Sequence, residues 1–204
     1  MNRQIDYYCT SLSPFTYLGH TRLLELAGSF HARILYKPVI VPQIFAESGA
    51  LPLKERPKAR QNYRLLEIGR WARKRGLPVH LHPAYFPVDP SLADKCVIAL
   101  QLAGEDAGAF LGRALAACWA EQKNIADPEV IRALLDALNM ESEEILLQAD
   151  SSEVDAVYRE NTQDAIAKEV LGVPAYVLDG EQFWGQDRLE LLADTLQSLH
   201  TQAD

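Results

Sequence analysis

The 204-residue sequence predicts an α/β fold in the order β-α-β, a large all-α insertion, then β-β-α. Three observations lead there. The first forty residues read as strand, helix and strand; the middle of the chain carries long helical spacings; and Asp179-Gly180 separates two short strand-like runs ahead of a last amphipathic segment.

Residues 3 to 9 set Ile5, Tyr7 and Cys9 against Asp6 and Tyr8, the two-residue period of a strand with one face more deeply buried. Ser13-Pro14 then supplies a hydroxyl at an N-cap and a proline at the first helical position, and Tyr17, Leu18, Leu24, Leu26 and Ala27 keep roughly helical spacing as far as Gly28. Arg33 to Val41 reads as a second strand that Pro42 ends. A helix between the two strands makes them parallel.

From about Pro42 to Leu171 the pattern is helical, broken at Pro52, at Pro57, along the proline-rich stretch Pro78 to Pro90, at Gly104 and at Asp127-Pro128. Asp127-Pro128-Glu129 is a helix start with cap, proline and acidic first turn. Ser152, with Asp155 three residues on, caps the segment Val154 to Leu171, which Gly172 is placed to end. Ala175–Leu178 and Glu181–Trp184 flank Asp179-Gly180, the dipeptide of a type I′ hairpin. Leu189, Leu192, Leu196 and Leu199 mark one face of a closing helix from Asp187 to His200. The expected division is a discontinuous domain of residues 1–42 and 172–204, with residues 43–171 inserted.

Composition narrows the function classes. With 48% hydrophobic and 24% charged residues the chain is neither disordered nor collagenous. No run reaches the roughly 18 apolar residues of a membrane span, and Met1 to Gln4 leads into a strand rather than a signal-peptide stretch, so a cytoplasmic location and no membrane partner are expected. The net charge of −8 argues against nucleic-acid binding. That charge is uneven. Between Lys54 and Arg75 nine Lys and Arg face only Glu55 and Glu67, which reads either as a solvated helix face or as a local field for a small anion. Tyr63 and Trp71 on the same segment have core spacing. Cys9, Cys96 and Cys118 lie far apart in no metal or redox spacing and read as buried thiols. His80 and His82 lack a third ligand, so no metal site is expected.

Three places could carry chemistry. Ser11-Leu12-Ser13-Pro14-Phe15 puts hydroxyls at a helix N-terminus, where free N–H groups and the helix dipole favour an anion, although Ser-Pro is equally an ordinary cap. Val173-Pro174 ahead of a sheet strand predicts a cis peptide. In Phe183-Trp184-Gly185-Gln186-Asp187-Arg188, Gly185 permits close approach and Asp187 offers an acceptor for an ammonium group.

Together with Asp6-Tyr7-Tyr8, Thr16-Tyr17-Leu18 and Arg70-Trp71-Ala72, these motifs resemble the 2-hydroxychromene-2-carboxylate isomerase family, kin of kappa-class glutathione transferases. The resemblance covers nearly the whole chain. It implies a thioredoxin-like domain split by a helical insertion, glutathione as cofactor, a small anionic aromatic substrate and a homodimer. Where related disulfide oxidoreductases carry Cys-x-x-Cys, this chain has Ser13-Pro14-Phe15-Thr16, so dithiol chemistry is lost and the reactive sulfur must come from a ligand. By the resemblance, Ser13 contacts that sulfur, and Val173 beside Pro174 pairs its backbone with the glutathione cysteinyl segment. Asp187 with Arg188 holds the γ-glutamyl end, Gln186 and Pro174 belong to the same cofactor site, and Phe15, Arg60 and Tyr63 face the substrate. The thiolate adds reversibly to an unsaturated α-keto acid, allows rotation and leaves. Two positions depart from the family pattern: Ala50 replaces an asparagine after Ser48-Gly49, and the lysine before Tyr63 has only Lys58 or Arg60 nearby. Competing readings are a kappa-like transferase or peroxidase and a non-catalytic glutathione or peptide binder.

Overall fold

The computed structural model describes residues 3 to 201; residues 1, 2 and 202 to 204 of the expected terminal segments lie outside the described residues. Its elements are β1 (Gln4–Cys9), α1 (Pro14–Ser29), β2 (Arg33–Pro38), α2 (Val41–Ser48), α3 (Lys58–Arg75), α4 (Ser91–Ala103), α5 (Ala107–Trp119), α6 (Pro128–Asp136), α7 (Ser142–Ala149), α8 (Ser152–Ala167), β3 (Ala175–Leu178), β4 (Glu181–Trp184) and α9 (Leu189–Thr201). Short 3₁₀ turns occupy Leu53–Glu55 and Gln186–Arg188. The sheet order is β2-β1-β3-β4, with β1 parallel to β2 and β3 antiparallel to both its neighbours. Tyr7 stands opposite Tyr36 on one side and Tyr176 on the other.

Both faces of the sheet are covered. Ile5, Tyr7, Cys9, Tyr176 and Leu178 join one cluster with buried residues of α1, α4, α5, α6 and α7. The opposite face, with Tyr8, Ala175 and Val177, packs on Ile44 of α2, Ala165 of α8 and Val170. The alternation in β1 therefore separates two cores rather than a core from solvent.

The register has a geometric consequence. The C-terminal ends of β1, β2 and β4 and the N-terminal end of β3 share one edge of the sheet. There the segments after Cys9, after Pro38, before Ala175 and after Trp184 meet: Val39 N donates to Cys9 O at 3.1 Å, and Gly185 N to Pro174 O at 2.9 Å.

The closing helix begins at Leu189 rather than Asp187, after the 3₁₀ turn, and three other boundaries differ more from the sequence reading. The second strand stops at Pro38, and Pro42 lies in the first turn of α2, where its missing N–H leaves no bond unmade. The apolar run Val39-Ile40-Val41 resembles a strand, but it is the turn into a helix. Helix α8 is capped by Ser151, whose Oγ accepts from Val154 N at 3.2 Å, not by Ser152. It ends at Ala167, well before Gly172; Glu169 takes φ +56° and Val170 N donates back to Ala165 O at 2.9 Å. The hairpin is as expected, with Asp179 at φ +50° and Gly180 at +89°. Val173-Pro174 is cis, as the sequence predicts, and Phe86-Pro87 is cis as well.

Candidate functional site at the sheet edge

Ser13 caps α1 with extended backbone, φ −80° and ψ 125°, and its Oγ accepts from Thr16 N at 3.2 Å. The capping use of this serine is therefore real. It spends the oxygen and not the proton: among the described residues no group accepts from the Ser13 hydroxyl, and none accepts from Phe15 N–H. A buried hydroxyl and a free amide at a helix N-terminus form a donor pair for an anion.

The residue the sequence reading missed lies beneath this loop. Asp94, in the first turn of α4, is completely buried and accepts from Ser11 N at 2.7 Å, Thr10 Oγ1 at 2.8 Å and Tyr158 Oη at 3.1 Å. Burial pushes its carboxyl up to about 6, against the lowering effect of the Ser11, Thr10 and Tyr158 hydrogen bonds. In the sequence it passes for an acid in a helix first turn. Ser11 faces this carboxylate with its amide, and its own Oγ is buried without a partner. Of the two serines, Ser13 stands at the helix tip.

Val173 precedes β3 at the same edge, and among the described residues no protein group hydrogen-bonds its main chain. Beside it, Gly172 lets an indole lie close: a Cβ there would stand 3.2 Å from Trp184 Nε1 and 3.6 Å from Phe45 Cε1. Gly185 takes φ +107°, which side chains rarely adopt, and a Cβ on it would meet Asp187 Oδ1 at 2.6 Å. The glycine thus turns the chain from β4 into the 3₁₀ turn while Asp187 folds back over it. Asp187 pairs with exposed Arg188 at 2.7 Å, and Gln186 is buried near Arg75.

Ser13, Val173, Pro174 and the Gly185–Arg188 turn therefore share one edge of the sheet, which a sequence reading could only align. On α3, Arg60 is exposed and Tyr63 is 57% exposed under Arg70, so the core spacing of Tyr63 with Trp71 was misleading. Phe15 is half-buried against the core. The basic run is neither wholly solvated nor wholly a site: Arg73 and Lys74 face solvent, whereas Arg64 lies on aromatic rings and Arg75 pairs with Glu190 at 3.2 Å. A surface hollow of ≈ 370 Å³ lies elsewhere, between α1 and the end of α3 around Thr21, Glu25 and Arg75.

The three cysteines are free and buried. Burial raises Cys9 well above the usual thiol range and pushes Cys96 and Cys118 up to about 12, so none is an available thiolate near neutral pH.

A model of the DSBA-like thioredoxin domain matches residues 4–197. The chain belongs to that family. It is 27% identical over 198 residues to a 2-hydroxychromene-2-carboxylate isomerase of Sphingobium xenophagum, covering 96% of this chain and 99% of that one. With the isomerase of the same name from Pseudomonas putida it shares 29% over 200 residues, 96% and 95% of the two chains. Glutathione s-transferase kappa 2 of Caenorhabditis elegans is 25% identical, covering 96% and 92%. Among solved structures, a 2-hydroxychromene-2-carboxylate isomerase superposes with a TM-score of 0.83 at 26% identity, covering 98% of this chain and 97% of that one. The cytosolic disulfide reductase DsbM of Pseudomonas aeruginosa, solved with GSH, has a TM-score of 0.71 at 17% identity, covering 98% of each chain, which speaks to fold. The resemblance to this isomerase family is borne out, and with it the thioredoxin-like fold with its helical insertion and the kinship to enzymes.

Proposed function

We propose that the chain is a glutathione-dependent isomerase of an unsaturated aromatic α-keto acid, of the 2-hydroxychromene-2-carboxylate to trans-o-hydroxybenzylidenepyruvate type. The carrying observation is the donor pair at the tip of α1: an uncommitted Ser13 hydroxyl proton and a free Phe15 amide, in a chain whose own thiols are buried. The names of the isomerase and kappa-transferase relatives support glutathione as the source of sulfur.

The residues fit that ligand. Ser13 hydroxyl and Phe15 N–H would face its sulfur, the unpaired Val173 main chain would receive its peptide groups, and Asp187 would take its ammonium. Bound glutathione supplies a thiolate that adds reversibly to the conjugated double bond of the substrate. The protein's part is to hold the charged form, because a hydroxyl donor and a helix N-terminus stabilise an anion more than a neutral thiol, at about 1.4 kcal/mol per unit of pKa. The half-exposed Trp184 indole beside Gly172 offers an apolar wall next to this edge.

Absorbance assays with 2-hydroxychromene-2-carboxylate and with 1-chloro-2,4-dinitrobenzene, each with and without glutathione, test the reading. Isomerisation that needs glutathione supports it. Conjugation of the chloroarene alone makes the chain a kappa-like transferase, and no reaction with either leaves a binding protein.

A further inference from the structure

The basic helix α3 contains one guanidinium set apart from its neighbours. Arg64 lies 5.4 Å from the ring centre of Phe86 and 5.9 Å from that of Trp119, two rings that are 4.9 Å apart. Among the described residues neither a carboxylate nor any other acceptor bonds to Arg64. Trp119 beneath it is fully buried and its indole N–H has no acceptor. Burial first, and the Arg56 cation second, lower the Arg64 guanidinium to about 10.

Arg56 repeats the arrangement on another ring. Its guanidinium lies 5.4 Å over the Phe45 ring, and its Nε donates to Leu51 O at 2.7 Å, leaving the two terminal nitrogens uncommitted among the described residues. Phe45 in turn borders Gly172, next to Val173 and facing Trp184. Arg64, Arg56, Phe45 and Trp184 thus form a connected strip of cations on aromatic faces that ends at the candidate site.

A largely buried cation is repelled by a second one beside it, and packing on rings offsets only part of that; an anion placed between them reverses the sign. A planar fork of donors matches a carboxylate in bidentate fashion, and the aromatic faces suit a flat conjugated body. We propose that Arg64, assisted by Arg56, anchors the carboxylate of the aromatic substrate, with Phe45, Phe86 and Trp184 framing its conjugated body. The anchor rests on the isomerase reading of the adjoining edge for the identity of the substrate, and it is tested apart from it.

The test is calorimetric binding of trans-cinnamate and of its uncharged analogue trans-cinnamamide to the full chain without glutathione. The proposal predicts that cinnamate binds about ten-fold or more tightly than the amide, with an advantage that shrinks as salt rises. Arg64→Gln brings cinnamate down to the level of the amide and leaves the amide unchanged; Arg64→Lys restores part of the difference; Arg56→Gln removes a smaller part. Equal affinity of the two probes for the unaltered protein, no detectable cinnamate binding, or an Arg64→Gln protein that still prefers the carboxylate would each overturn it. Because the unaltered protein alone distinguishes the probes, a variant that failed to fold would not rescue the idea. A protein that binds cinnamate through Arg64 and isomerises nothing keeps the anchor and loses the isomerase reading; isomerisation with no carboxylate preference does the reverse.

Discussion

Asp94 Oδ1 lies 2.7 Å from the amide nitrogen of Ser11, two residues before the Ser13 that caps α1. A carboxylate from α4 thereby fixes the loop between β1 and α1 at the sheet edge. With Thr10 and Tyr158 on its other oxygen, Asp94 ties the segment after β1 to α4 and α8. Asp94→Ala should destabilise the protein by about 1–3 kcal/mol, since it leaves the buried Ser11 amide without an acceptor. Asp94→Asn, which keeps an acceptor for that amide, should lose less. Urea denaturation of the two variants measures the difference.

The pH dependence of stability separates two buried groups of opposite sign. Asp94 titrates near 6 in the folded chain against 3.8 ordinarily, so between those values the folded state holds the extra proton and stability falls as pH rises. His20, whose Nε2 lies 2.9 Å from Gly108 O, is lowered by burial to about 4 from 6.5. Between 6.5 and 4 the unfolded state holds the extra proton, so its contribution is lost as pH falls. The two nearly offset one another in the native chain. Asp94→Asn should unmask His20 and give a stability that drops steadily from pH 6.5 to 4, read from denaturant midpoints. A flat profile in that variant contradicts the assignment.

Ser13→Ala should keep the fold, at a cost of about 0.5–2 kcal/mol for the lost cap. Turnover should fall roughly 10²-fold or more, as when one donor to a developing or resident anion is removed. Ser11→Ala, whose hydroxyl has no partner and whose amide bond to Asp94 survives, should change turnover far less. The reverse ranking would mean that Ser11 occupies the tip.

Asp187 and Arg188 should weigh differently in glutathione binding. Asp187, 39% exposed, is the acceptor held over Gly185, and its removal should weaken binding by about 1.5–3 kcal/mol. Arg188 is half exposed, and Arg188→Ala should cost about 0.2–1 kcal/mol. Gly185→Ala should mimic the loss of Asp187, because its Cβ would displace that carboxylate. Calorimetric titration of glutathione into the three variants ranks them.

Local signals made much of this legible. The Ser13-Pro14 cap, the Asp179-Gly180 turn and the Val173-Pro174 bond are written in two or three adjacent residues, and the structure has all three. What escaped depends on packing. Val39-Ile40-Val41 has strand composition, but tertiary contacts make it a turn into α2. Asp94 and Arg64 look like ordinary members of a helix first turn and a basic run; only burial beneath Ser11 in one case, and on Phe86 and Trp119 in the other, distinguishes them. Tyr63 shows the converse: it keeps core spacing with Trp71 on a face that stays exposed.

The most direct measurement is the number of 2-hydroxychromene-2-carboxylate molecules converted per molecule of glutathione, followed by absorbance while free thiol is counted. The account predicts no turnover without glutathione, many turnovers per glutathione, and a thiol count unchanged at the end, all lost together in Ser13→Ala. Turnover that proceeds without glutathione, or that consumes one thiol for each molecule of substrate, would contradict it.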